Sequence, residues 1–208
     1  MEKQSKKLQN ADYEIGKKYY KYMSLQNIQR IIDVFKNNHL FASKYNRLND
    51  PMEGYFISRE NMSRSIIEQV RARKSDYRIC SLTQCDTSIL MWAHYSKGFT
   101  GVVIGLSAEE NVYPIKYGKL KELNHFCENQ IEDITSIFLH KMKEWEYEKE
   151  SRIVLNNCGE FAKILPIEVI FGLRTDKTLK QKLMDKIREL NRDIIFKQQN
   201  INFENITL

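Results

Sequence analysis

One stretch limits the folds open to this chain more than any other. Trp145-Glu146-Tyr147-Glu148-Lys149-Glu150-Ser151-Arg152 runs without a break into Ile153-Val154-Leu155. A solvated surface helix can carry those charges, but it has no reason to end in a β-branched apolar run. The segment reads as a buried strand with acidic first residues, beginning near Tyr147. Side chains two apart on a strand share a face, so Glu148 and Glu150 point one way with Arg152 next in line. Two carboxylates on one strand face are costly unless they meet a cation, a metal or a substrate that uses them. The fold must therefore bring a counter-charge or a ligand to this strand.

The other elements follow from periodicity and capping. Tyr19-Tyr20-Lys21-Tyr22-Met23 reads as a short strand, and Ser24 as the N-cap of a helix carrying Leu25, Ile28, Ile32 and Phe35, closed by Asn37-Asn38. Leu40 to Ser43 is a second short strand, leading to a loop that ends in Asn49-Asp50-Pro51, and 52–75 reads as mostly helical. Tyr77 to Thr83 alternates as a strand. Thr87 caps a short helix with Ile89, Leu90, Met91, Trp92 and His94. Gly101 to Leu106 is a strongly apolar strand with Val112 to Tyr117 as its hairpin neighbour. A long helix is expected from about Leu120 to Lys143, with Ile131, Ile134 and Phe138 on one face. Beyond the acidic strand come a strand over Val169 to Leu173, a helix starting at Asp176 with Leu179, Leu183, Ile187 and Leu190, and an edge strand from Ile194. Strands and helices mix without regular β-α-β alternation. That predicts an α+β fold with mixed, mostly antiparallel sheets flanked by helices. The whole of 1–208 is expected to form one domain, with 1–18 a lysine-rich lead-in.

Composition removes several functional classes. With 42% hydrophobic and 29% charged residues the chain fits a globular protein, not a disordered one. No apolar run approaches a membrane span, and Met1 to Lys7 lacks the apolar core of a signal peptide, so no membrane partner and a cytoplasmic location are expected. Cys80, Cys85, Cys127 and Cys158 form no C-x-x-C pair and the four histidines complete no zinc-type spacing. Glycine-rich phosphate loops, H-E-x-x-H and G-x-S-x-G are also missing. The net charge of +6 fits either a solvated basic surface or attraction to RNA or DNA.

Polar and aromatic residues at expected strand ends remain as candidates, and each has a plain structural role open to it. Asn49-Asp50-Pro51 is a common turn and cap. Trp92 and Tyr95 can be core anchors, His94 can bond a backbone carbonyl, and the glutamates can pair with Arg152 or nearby lysines. Their combination is more specific. Y-K-Y-x-S at Tyr20–Ser24, S-x-x-x-x-x-N-D-P-x-E at Ser43–Glu53, C-S-L at Cys80–Leu82, M-W-A-H-Y-S-x-G-F at Met91–Phe99 and W-x-Y-E-x-E-x-R at Trp145–Arg152 together resemble a bacterial family catalogued as a domain of unknown function. That similarity covers roughly Tyr19 to Gly172.

More loosely, the order of parts is similar to ADP-ribosyltransferases, including toxins that modify nucleic acid. These have a strand with a His or Arg on the adenosine side of NAD, a helix, a strand with Ser or Tyr beside the nicotinamide, and a late strand with a catalytic Glu, sometimes as E-x-E. The resemblance implies an ADP-ribosyltransferase-like fold and NAD as substrate. It puts Lys21 or Tyr22 at the first position, Ser43 at the second with Ser81 as rival, and Glu148 or Glu150 at the third. Lys21 stands where the pattern has His or Arg, and lysine is a less planar phosphate partner. Tyr22 or Trp92 would stack on nicotinamide, with Asn49, His94 and Tyr95 also around the NAD. Arg152 would hold the glutamates or contact a phosphate. Such an enzyme would act as a toxin or defence effector on a nucleic-acid or protein acceptor, and an antitoxin-like partner could cover its pocket. Two other classes stay open. One is a metal-dependent nuclease using Asp50, Glu53, Glu148 and Glu150 as hard oxygen ligands. The other is a non-catalytic module binding nucleic acid or protein, with the W-E-Y-E run as its edge.

Overall fold

The computed structural model describes residues 17–58, 62–119, 125–126, 133–156, 159–190 and 192–200. In chain order the strands and helices are β1 (Tyr19–Met23), α1 (Ile28–Asn37), β2 (His39–Phe41), β3 (Ser43–Lys44), β4 (Ile57–Ser58), α2 (Arg64–Lys74), β5 (Tyr77–Thr83) and α3 (Ile89–Tyr95). They continue with β6 (Val102–Ala108), β7 (Val112–Pro114), β8 (Lys116–Gly118), β9 (His125–Phe126), β10 (His140–Met142), β11 (Glu150–Asn156), β12 (Phe161–Phe171), α4 (Lys177–Arg188) and β13 (Ile195–Gln198). The fold is α+β, and its main sheet has the order β13-β12-β6-β1-β5-β11-β7, antiparallel except for the β12–β13 pair. Among the described residues no helix is long and apolar enough to cross a membrane.

The middle of this sheet explains where a cavity can form. β1 pairs with β6 along its full length, Tyr19–Met23 against Val102–Leu106, but meets β5 at a single register position, Tyr20 opposite Thr83. The sheet therefore splits into two wings that diverge from that point. β2 pairs with β12 in one wing and β3 with β5 in the other, so residues 39–44 cross between them. Lys21 Nζ, donating to the Ser81 carbonyl at 2.7 Å, and Tyr22 OH, donating to the Cys85 carbonyl at 3.0 Å, bridge the same divide.

Period-two alternation fills both faces. Val102, Ile104 and Leu106 of β6 pack with Ile31, Val34 and Phe35 of α1 and Leu183 and Ile187 of α4, while Val103 packs on the other face with Met91 and Trp92 of α3. A third cluster joins Val70 of α2 to Tyr77, Ile79, Ile134, Ile137 and Phe138.

Several expected elements differ. The acidic strand begins at Glu150, not near Tyr147: 143–148 form a 3₁₀ helix, and Lys149 turns left-handed at φ 44° before β11 starts. Pairing with β5 fixes that start at Glu150 opposite Thr83, and the Thr83 hydroxyl holds the Glu148 carbonyl at 2.6 Å. The long helix expected over 120–143 is replaced, where described, by β9, a 3₁₀ turn at Ile134–Phe138 and β10; 120–124 and 127–132 lie outside the described residues. One 3₁₀ turn is enough to bury Ile134, Ile137 and Phe138, and β10 then pairs with β8. β7 is not the hairpin neighbour of β6, because β1 and β12 already occupy both edges of β6; it pairs with β11 instead. Of 52–75, the helix is confined to Arg64–Lys74, capped by Ser63, with 59–61 outside the described residues. Ser88, not Thr87, caps α3.

Candidate active site

A cavity of about 240 Å³ opens between the wings. Lys21 and Tyr22 of β1, Ser43 of β3, Ser81 and Thr83 of β5, Asn49, Tyr95, Lys141, Glu148 and Glu150 all line it, together with Arg30, Phe41 and Arg47. Seven of the ten expected site residues are thus brought to one cavity or its hydrogen-bonded wall: Lys21, Tyr22, Ser43, Asn49, Tyr95, Glu148 and Glu150.

Its floor is a closed ring of polar groups. Asn49 Nδ2 donates to the Tyr95 hydroxyl at 2.5 Å, and that hydroxyl donates to Glu148 Oε1. Lys141 Nζ donates to Glu148 Oε2 and, at 3.2 Å, to Glu150 Oε2. Arg152 binds Glu150 through Nε at 2.7 Å and Nη2 at 3.0 Å, and Glu53 through Nη1 at 2.7 Å and Nη2 at 2.5 Å. Asn49 and Glu53 sit on one turn, so the ring closes on itself. Asp50 builds that turn by accepting from the Met52 amide at 2.9 Å, and the Glu53 amide donates to the Asp50 carbonyl at 3.1 Å. Asp50 is therefore a capping residue, while its neighbours Asn49 and Glu53 reach the two ends of the glutamate pair.

The left-handed Lys149 lets Glu148, on a 3₁₀ helix, and Glu150, on a strand, face the same cation despite their different backbones. Both glutamates, Glu53, Lys141 and Arg152 are buried. Burial alone would push Glu150 up, but Arg152, with Lys141 and the Ser81 hydroxyl, holds it down to about 2. Burial pushes Glu53 up against the pull of Arg152. Tyr95 is raised by burial and by the Glu148 carboxylate beside it, so it remains a phenol and donates. Arg152 is raised despite its burial, held charged by Glu150 and Glu53.

Three carboxyl groups face two cations on this floor, a formal count of one negative charge in excess. Glu150 already accepts two bonds from the Nε–Nη2 edge of Arg152, one from Lys141 and one from Ser81, which uses its acceptor capacity. Glu148 takes one donor on each oxygen and keeps lone pairs for a ligand.

Three expected residues stand elsewhere. Trp92 is wholly enclosed, donating Nε1 to the Asp86 carbonyl at 2.7 Å, with Tyr22 against it edge-on at 5.3 Å, so it is a core anchor and not a stacking surface for a ligand. His94 is exposed on α3 and faces Tyr147, 6.2 Å between rings, outside the cavity wall. Arg152 is 1% exposed and lies behind the wall, where it positions Glu150 and cannot touch a phosphate. Of the carboxylates considered as metal ligands, Glu53, Glu148 and Glu150 are engaged by Arg152 and Lys141 and Asp50 caps its turn, and among the described residues no three His, Cys, Asp or Glu side chains are placed to hold a metal ion.

Sequence reasoning missed Lys141, Arg30, Arg47 and the structural role of Glu53. The N-D-P-x-E spacing carried a signal for Glu53. Lys141 carried none, because its segment reads as part of a helix. No protein family, curated protein or solved structure matches the chain, so what this cavity can do is read from its own geometry.

Proposed function

We propose that this chain is an NAD-consuming transferase with an ADP-ribosyltransferase-like fold. The observation that carries the reading is the charge layout of the cavity, with an excess carboxylate on its floor beside Glu148 and the cations Lys21, Arg30 and Arg47 on its walls. NAD carries the complementary pattern, a cationic nicotinamide riboside joined to an anionic pyrophosphate. The order of parts agrees with the reading, since the first strand with Lys21 and Tyr22, the following helix, Ser43 and the late Glu148–Glu150 pair meet at one cleft.

In the reaction, the bond between the ribose C1′ and the nicotinamide nitrogen breaks, and the nitrogen keeps the electron pair. Positive charge grows on the sugar, as in glycoside hydrolysis. Glu148, with free lone pairs, accepts from a ribose hydroxyl and faces that charge. The ionised Glu150 behind it adds a fixed field that favours the transition state over the ground state. The acceptor then attacks C1′ and releases its proton, giving ADP-ribosyl acceptor, nicotinamide and one proton. Lys21, with ammonium protons to spare beyond Ser81, and Arg47 hold the pyrophosphate.

The test incubates the protein with labelled NAD and mixed RNA, DNA and protein, with and without EDTA. Expected are nicotinamide release and label on one acceptor class, unaffected by EDTA. Glu148→Gln should lower turnover by about 10²–10³-fold while its melting profile stays intact. Undiminished turnover in both Glu148→Gln and Glu150→Gln would sink the assignment.

A further inference from the structure

A second cavity, of about 360 Å³, adjoins the first and shares Lys21, Arg30 and Phe41 with it. Its outer wall is aromatic. His39 of β2 stacks on Phe161 of β12 with ring centroids 4.0 Å apart and planes 11° from parallel, and Phe41 meets Phe161 edge-on at 5.9 Å. Burial does not explain this cluster, because Phe161 is 43% exposed. Antiparallel pairing puts Phe161 opposite Phe41 and Lys163 opposite His39, so Lys163 flanks the rings on the same exposed face. On the other side the Arg30 guanidinium lies 5.5 Å from the Phe41 ring centre. The acidic group here, Asp33, is engaged by His39 at 2.8 Å and by Asn37. An exposed ring, Phe161, with half-buried Phe41 beside it, between cations that no carboxylate among the described residues neutralises, is the pattern that binds single strands, with bases on the rings and phosphates on the cations.

We propose that this face binds single-stranded nucleic acid, with bases stacked on Phe161 and Phe41 and phosphates against Arg30 and Lys163. The shared wall leads from this face to Glu148, so the strand is the acceptor that the transferase reading calls for. That acceptor role rests on the reading above; the binding itself does not. Charge complementarity selects the occupant, because a folded protein partner would cover the rings without needing the flanking cations.

The test titrates short fluorescein-labelled RNA and DNA single strands into the full chain and follows anisotropy. Duplex DNA and heparin serve as controls that offer charge without accessible bases. Saturable binding to one or both single strands, and weaker binding of duplex and heparin, is expected. Phe161→Ala should weaken the single strand about tenfold or more. Lys163→Gln should lower the slope of log affinity against log salt by about 0.7. The inference is overturned if Phe161→Ala binds like wild type, if heparin competes as well as the strand, or if no single strand binds. Nicotinamide release from NAD in water is followed in parallel. Release without strand binding overturns the strand face and spares the transferase, whereas strand binding without release does the reverse.

Discussion

Arg152→Met probes the ring where its energetics are least forgiving. The substitution keeps most of the apolar stem and removes the donors through which Arg152 reaches Glu150, Glu53 and the Phe138 carbonyl. Glu53 would be left buried without its cation and Glu150 with only its share of Lys141, and breaking a buried pair in this way typically costs about 3–5 kcal/mol. The Glu150 titration gives a second route to the size. A carboxyl held at about 2 instead of the ordinary 4.5 contributes on the order of 3 kcal/mol at neutral pH. Against a total stability of about 5–15 kcal/mol, the unfolded population should rise by roughly two to nearly four orders of magnitude. The sign with pH is fixed. Because the folded Glu150 sits below its unfolded value, its contribution is complete above 4.5 and is lost as pH falls towards 2. Glu53, raised by burial, works in the opposite direction. In Arg152→Met both carboxyls lack the guanidinium and burial raises them, so acid relieves the mutant already above pH 4.5, where the wild type's Glu150 contribution is still complete, and the gap between them must narrow from pH 7 to pH 5. Urea unfolding followed by tryptophan fluorescence, from enclosed Trp92 and half-buried Trp145, at pH 7 and pH 5, measures both quantities. A loss below about 1 kcal/mol at pH 7, or a gap that does not change with pH, would refute the buried-charge account. Arg152→Lys should recover only part of the loss, since an ammonium cannot bridge both carboxylates in the same plane.

Two other substitutions separate positioning from folding. Tyr95→Phe removes the hydroxyl between Asn49 and Glu148 without changing shape; steady-state kinetics should show kcat falling about 10- to 100-fold with KM for NAD little changed, and an unchanged kcat would remove Tyr95 from the ring's function. Lys149→Gly relieves a left-handed backbone at φ 44° on an exposed residue; calorimetry should show a gain of up to about 1 kcal/mol, and a lower Tm would mean the lysine side chain holds the turn.

The parts of the fold visible in the sequence are those whose pattern is local. β1, α1, β5, β6 and α4 each carry their own period or cap, and all five appear close to where periodicity places them. Pairing partners are not local. Val112–Pro114 and Gly101–Leu106 look like a hairpin because they are neighbours in the chain, yet the edges of β6 go to β1 and β12, which no local pattern reveals. The spacing of Ile131, Ile134 and Phe138 fits a helix, but a five-residue 3₁₀ turn is enough to bury Ile134 and Phe138, and Ile131 lies outside the described residues. In the site, Glu148, Glu150, Asn49 and Tyr95 were legible because polar residues crowd together beside apolar runs. The pairing of Glu148 with Glu150 on one face was reached through the wrong backbone, since a strand from Tyr147 and a left-handed turn at Lys149 point the two side chains alike. Lys141 was invisible because one lysine in a basic chain of 33 Lys and Arg carries no signal until its neighbours are known.

The ring also limits what the cavity can accept. Lys141 and Tyr95 hold Glu148 in place, so a ligand at Glu148 must add to those bonds or displace one of them. A neutral ligand that displaced Lys141 would leave two buried glutamates short of a cation. An anion would enlarge the excess charge already present. A ligand bringing its own positive charge can take over part of the lysine's role at no such cost, and it does so most fully when that charge is greatest. On the transferase reading this favours oxidised NAD, whose nicotinamide is cationic, over the reduced form, whose nicotinamide is neutral, and it favours the charged sugar of the transition state over both. On that reading, the same three carboxylates and two cations that make Arg152 costly to remove also make the floor of the cavity favour developing positive charge.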